Sequence, residues 1–147
     1  MATTFEPTTW TSIGNQLTTE LNSLGIGGIS AFSAAWDNTT TLYLWVAAII
    51  NLASLTPTAG AYLQLLMTES VDGGTTYEDA PSSTNPGWHM AQPSVAINVS
   101  TSAKVIRVPP IRVFGGKFKC ALLNGAGVAL AATGNTLALY GSNDQGV

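Results

Sequence analysis

Charge is what this chain has least of. Five Lys and Arg and eight Asp and Glu make up 9% of its 147 residues, where a soluble domain usually carries about a quarter. A free monomer covers itself with charged side chains, so a surface this poor in them predicts that other subunits cover much of it. The composition also speaks against disorder, because 46% of the residues are hydrophobic and disordered chains are charged and short of large apolar groups. The net charge is −3, and the basic residues Lys104, Arg107, Arg112, Lys117 and Lys119 are confined to one region. That pattern argues against a nucleic-acid partner. Lys117 and Lys119 alternate as exposed strand positions do, so solvated strand faces account for these charges; a patch facing an acidic surface is the alternative.

Cysteine and histidine are almost missing. Cys120 is the sole cysteine, which excludes an intrachain disulfide, and the alternation Phe118, Cys120, Leu122 predicts a buried thiol. His89 is the sole histidine, in a Pro/Gly-rich loop with no second His or Cys at metal-ligand spacing. No motif makes a nucleophile–base pair of Cys120 and His89. Asp72, Glu78 and Asp79 lack the regular spacing of a calcium loop. No metal, cofactor or catalytic residue is therefore expected, and the chain reads as a non-enzyme. The most apolar run, residues 43–55, is too short to cross a bilayer and is broken by Asn51, so no membrane partner is expected. The start, MATTFEPTTW, has neither a basic region nor an apolar core, so no secretory signal is expected. Without one, the sequons at Asn38 and Asn98 mean only turn and strand composition.

What is present is β structure. Strands are predicted over 29–36, 41–52, 61–69, 95–99, 104–113, 116–124 and 135–140, and the breaks between them carry Gly, Pro, Asn, Asp or Ser. Segments of this length and spacing predict an all-β fold, an antiparallel β-sandwich or jelly-roll-like single domain over residues 13–147. A Thr-rich N-terminal arm, residues 1–12, precedes it, with isolated Phe5 and Trp10 placed to pack on neighbours. Trp10, Ile13, Leu17, Leu21 and Leu24 have helical spacing, while Leu17, Thr19 and Leu21 alternate as a strand. The glycines of Asn124-Gly125-Ala126-Gly127 have no following helix or Lys and make a turn, not a phosphate loop.

Two segments predict contacts. Along 41–52 one face is Leu42, Leu44, Val46, Ala48, Ile50 and Leu52, and the other is Tyr43, Trp45, Ala47 and Ile49. A strand apolar on both faces must be covered on both, by the arm or a loop or by a neighbouring subunit, and either cover puts Tyr43 and Trp45 in a contact. The loop 81–93, PSSTNPGWHMAQP, holds Trp88, His89 and Met90. Large groups in a Pro-rich loop read as an interaction tip, unless Trp88 folds back on its own domain.

Residues 59–80, AGAYLQLLMTESVDGGTTYEDA, are the most informative stretch. An apolar strand runs into Asp-Gly-Gly and then an aromatic-acidic segment, which predicts a β-hairpin in which Gly73 and Gly74 take positive φ and Asp72 caps the turn. With DNTTTLYLWVAAIINLASLTPTAG (37–60) upstream and FKCALLNGAGVALAATGNTLALY (118–140) downstream, this block resembles a family of small β-rich virion proteins of tailed bacteriophages. In that family a long strand, a "TPTAGAY" connection, a second strand and an "S-x-DG-x-x-YED" hairpin follow in this order; the resemblance also tips 13–24 toward strand. It implies a capsid decoration, or cement, protein on the virion head surface, made in the host cytoplasm. The expected partners are the major capsid protein and the chain itself, as a homo-oligomer, for which a trimer would suit three-fold positions of the capsid. The alternative it leaves open is a carbohydrate-binding or adhesion module of a head fibre, tail fibre or baseplate, with a glycan on Trp88, His89 and Tyr77.

Overall fold

The computed structural model describes residues 9–77 and 90–143, and for residues 90–93 the backbone alone. Eight strands follow in order: β1 (Thr11–Leu17), β2 (Trp36–Asp37), β3 (Trp45–Leu55), β4 (Tyr62–Ser70), β5 (Met90–Ala96), β6 (Ser102–Arg112), β7 (Lys117–Gly125) and β8 (Thr136–Ser142). They form two four-stranded antiparallel sheets, β1-β8-β3-β6 and β2-β7-β4-β5. The sheets pack face to face as a β-sandwich. Among the described residues there is no α-helix, only a 3-10 turn at Thr19–Leu21.

Alternation builds the core. Val46, Ala48, Ile50 and Leu52 of β3 face inward and join Leu63, Leu65 and Met67 of β4 and Phe118, Cys120 and Leu122 of β7 in one buried cluster. Each fully buried leucine there contributes about 1.5–3 kcal/mol. Cys120 is a buried thiol, as its place in the alternation predicts, and burial pushes its pKa up to about 12.

The expected strand 29–36 is not one. Only Ile29 bridges Leu123, and Trp36 and Asp37 pair with Phe118 and Lys117. The reason lies in two serines. The Leu122 N–H donates to Ser30 Oγ (3.0 Å) and the Cys120 N–H to Ser33 Oγ (3.1 Å), while Ser30 N–H and Ser33 N–H donate back to the Leu122 and Cys120 carbonyls. Side-chain oxygens standing in for carbonyls let the segment follow β7 without strand geometry. They also close that edge to another chain. Prolines interrupt the opposite edges. Pro109 and Pro110 fall where the β3–β6 register slips beside Ala47, and Pro93 falls where the β4–β5 register slips beside Leu65. Proline lacks an N–H, so edge bulges are where a sheet tolerates it.

The turn chemistry at 70–76 is as read, but the tight hairpin is not. Gly73 and Gly74 have φ of +76° and +98°. The Asp72 carboxylate accepts the Ser70 hydroxyl (2.7 Å), the Thr75 N–H (3.0 Å) and the Thr76 N–H (2.9 Å). Yet β4 ends at Ser70 and its partner β5 begins only at Met90, opposite Met67. The turn opens a long connection instead of reversing the strand. Residues 13–24 divide between strand and 3-10 turn, and β1 starts at Thr11, so Thr11 and Ser12 pair with Gly141 and Tyr140 of β8.

Candidate functional site: one end of the sandwich

At one end two connections cross between the sheets. One leads from Asp37 of β2 to Trp45 of β3; the other, residues 113–116, leads from β6 to β7. Asn38 fastens them together. Fully buried, it donates from its amide nitrogen to the Tyr43 carbonyl (2.9 Å) and the Phe114 carbonyl (3.2 Å). Its amide oxygen accepts from the Tyr43 N–H (2.8 Å) and the Thr41 hydroxyl (3.1 Å). Every hydrogen-bonding position of that side chain is used. Backbone bonds add to it: Asn38 N–H to Gly116 O, Leu42 N–H to Asn38 O, Leu44 N–H to Ser142 O and Val113 N–H to Leu44 O.

The clamped corner turns apolar side chains outward. Leu42 is 57% exposed, Leu44 37% and Phe114 59%, although 41–52 as a strand put both leucines on the buried face. β3 begins only at Trp45, so the alternation does not reach them. Leu42 sits at φ +50°, a left-handed conformation that is rare for a bulky residue. The Arg112 guanidinium lies 5.7 Å from the Phe114 ring centre, a cation–π distance.

Charge gathers at the same end. Register sets Trp45 beside Arg112, and Asp37 and Ser70 beside Lys117. Asp37 lies 3.5 Å from Lys117, and its carboxyl is held below the usual range by the Thr39 hydroxyl, then the Thr39 N–H, with Lys117 adding to both. Partial burial raises Glu69. Lys119 Nζ stands 4.1 Å from the Tyr77 ring centre, which takes one face of that ring away from any sugar. Asp72 is held well below the ordinary carboxylate range by the Ser70 hydroxyl and the Thr76 backbone, and beside it Val71 is 95% exposed. Lys104, expected as a solvated strand charge, is buried at the other end of β6. Its ammonium donates to the Ser100 carbonyl, Ser100 Oγ (3.1 Å) and Ser102 Oγ (3.0 Å).

Of the residues expected to make contacts, Tyr43 and Trp45 are at this corner, both half-buried. Tyr43 stacks on Trp36 (6.2 Å between ring centres), which stacks on Phe118 (5.5 Å). Trp45 opens β3 between Arg112 and Ser142. Trp10 is half-buried just before β1, and Met90 opens β5. Phe5, Trp88 and His89 lie outside the described residues. Trp10, Tyr77, Met90 and Asn143, which border the undescribed segments, are all toward this end. Sequence reasoning missed Asn38, Leu42, Leu44, Arg112 and Phe114 as members of one surface. The available signals were a leucine ending the polar run Asn38-Thr39-Thr40-Thr41 and a phenylalanine directly before Gly115-Gly116.

Among the described residues no group of three His, Cys, Asp or Glu is arranged to hold a metal ion, and no helix is long and apolar enough to cross a membrane. Fold and surface together define an all-β sandwich with most of its described charge at one end, beside exposed Leu42, Leu44, Val71 and Phe114; Ile26, Tyr62, Val99 and Val105 are exposed elsewhere. No family model, no curated protein and no solved structure matches the chain.

Proposed function

We propose that the protein is a non-enzymatic structural component of a tailed-bacteriophage virion, a capsid decoration protein that stabilises the head by binding between capsid subunits. One observation carries the reading: in a chain so poor in charge, exposed Leu42, Leu44, Phe114 and Val71 gather with Arg112, Lys117 and Asp37 at one end. The resemblance of residues 37–80 and 118–140 to small virion proteins supports it. Cementing works by many weak contacts. Each copy buries surface against several neighbours, and linkage to the assembled state raises the free energy needed to rupture the shell. The arm ahead of β1, residues 1–10, suits a strap between neighbours, since a polar segment that orders on binding reaches sites a rigid domain cannot.

Cryo-electron microscopy of particles carrying the protein tests this. Density between capsid subunits on the head is expected. Density on a fibre or baseplate, together with binding on a glycan array, replaces decoration with the adhesion reading.

A further inference from the structure

We infer that the Asn38-clamped corner is a self-association surface, in which Leu42, Leu44 and Phe114 of one copy meet the same residues of a second copy across a two-fold axis. This names the surface for the self-association that the decoration reading expects, and it is tested without particles, so either can fail alone.

Leu42 is the starting point. A left-handed backbone at φ +50° strains leucine, and glycine would take it freely. A large apolar side chain that leaves 57% of its surface in water at a strained position gains little for the isolated domain. Such strain persists where the surroundings enforce it and clusters at functional sites, and here the saturated Asn38 enforces it. Strain and exposure at one residue, beside exposed Leu44 and Phe114, mark a surface built to be covered.

The charges identify the cover. Arg112 ends β6, an edge strand of one sheet, and Asp37 ends β2, an edge strand of the other, with the apolar side chains on the connections between them. Among the described residues Arg112 meets no carboxylate; its guanidinium is over Phe114. Opposite charges flanking an apolar strip are self-complementary under a two-fold rotation. Each Arg112 is then set toward the second copy's Asp37, a half-exposed side chain whose Oδ1 takes Thr39 and whose Oδ2 faces Lys117. Sheet-edge pairing is the competing route to a dimer, and the Ser30/Ser33 cover and the edge prolines obstruct it at three of the four edges, all but β1.

Sedimentation velocity from about 1 to 100 µM, with thermal melts, is the test. The wild type is expected as a dimer. Leu42→Gly is expected to melt at or above the wild-type temperature, because it relieves strain, and to weaken dimerisation by about tenfold or more. Arg112→Asp and Asp37→Arg are each expected to be monomeric, and their equimolar mixture to recover a dimer. A wild type that stays monomeric at the highest concentration overturns the proposal, as does a Leu42→Gly protein that dimerises undiminished. A monomer that coats phage shells through these residues puts a shell subunit in place of the second copy and overturns it too.

Discussion

The two ends of the sandwich are closed by the same device and left with different surfaces. At the far end Asn124, fully buried, donates to the carbonyls of Leu24 (2.9 Å), Gly25 (3.1 Å) and Val128 (2.9 Å) and accepts the Ala126 N–H (3.0 Å). Asn135 beside it donates to Ala131 O (2.7 Å) and accepts the Ala53 N–H (3.2 Å). Asn38 does the same work at the near end. Both ends also lay a tyrosine across a glycine, Tyr62 over Gly125 and Tyr43 over Gly141. The charges differ. The far end binds its two locally: Glu20, partly exposed, accepts the Thr18 N–H (2.9 Å), which lowers its pKa, and Lys104 is buried on serine oxygens. The near end keeps Arg112 outward beside exposed leucines. Buried asparagines therefore explain why both ends hold; apolar groups are exposed at both, Ile26, Tyr62 and Val99 at the far one, so the outward charge is what distinguishes the near end.

Replacing the asparagines tests that division with the largest expected effect. Asn124→Ala and Asn38→Ala should each cost about 3 kcal/mol in denaturant unfolding, since each strands several buried backbone groups. The far-end variant should keep the self-association of the wild type once folded, and the near-end variant should lose it. An Asn38→Ala protein destabilised by less than about 1 kcal/mol would show that the corner is held by something else.

The glycines come next. Gly141→Ala sets a methyl group into the Tyr43 ring, which the Trp36 stack keeps from swinging away, and should cost about 2–3 kcal/mol. Gly125→Ala meets Tyr62, which is on the outer face and 39% exposed, and should cost about 1 kcal/mol. Thermal melts on the pair check the order; equal costs would remove the contrast between a locked ring and a free one.

Two pH effects are smaller. The Cys120 pKa is raised in the folded protein to about 12 from 9.0, so folding favours the neutral thiol. Its contribution is complete below 9.0 and is lost as pH rises toward about 12. Stability of the wild type should fall more steeply across that window than stability of Cys120→Ala, and a thiol reagent should label Cys120 at the rate of unfolding. Asp72 is shifted the other way. Its folded pKa lies below the ordinary value of 3.8, so the turn is supported fully above that value and loses support as pH falls through the folded pKa. The stability gap between wild type and Asp72→Asn should be constant near neutrality and close in acid; a gap that widens in acid would contradict the sign.

Much of the fold was legible because it is local. Alternation located β3, β4, β6, β7 and β8 to within a few residues, and Asp72-Gly73-Gly74 announced a turn that forms with the expected bonds. Two of the failures share one cause. At 29–36 the partners of the chain are hydroxyls meeting a strand 87 and 92 residues away. At Leu42 and Leu44 the alternation was carried past the start of β3, because the residue that ends it, Asn38, reaches Phe114 across 76 positions. Lys104 looked solvated, and three nearby oxygens draw it in.

The sequence by itself determined the all-β class, the core-facing residues of the long strands, the buried thiol and the Asp72 turn. Each depends on a period of two or on bonds within a few residues, which the order of side chains already contains. Only the tertiary structure decided that Leu42, Leu44, Phe114 and Arg112 share one corner, that Leu42 is strained outward, and that Lys104 is drawn inward at the other end. Those outcomes depend on which connection lies beside which when the sheets pack. That is settled by a buried amide meeting a distant carbonyl, and no local pattern encodes it.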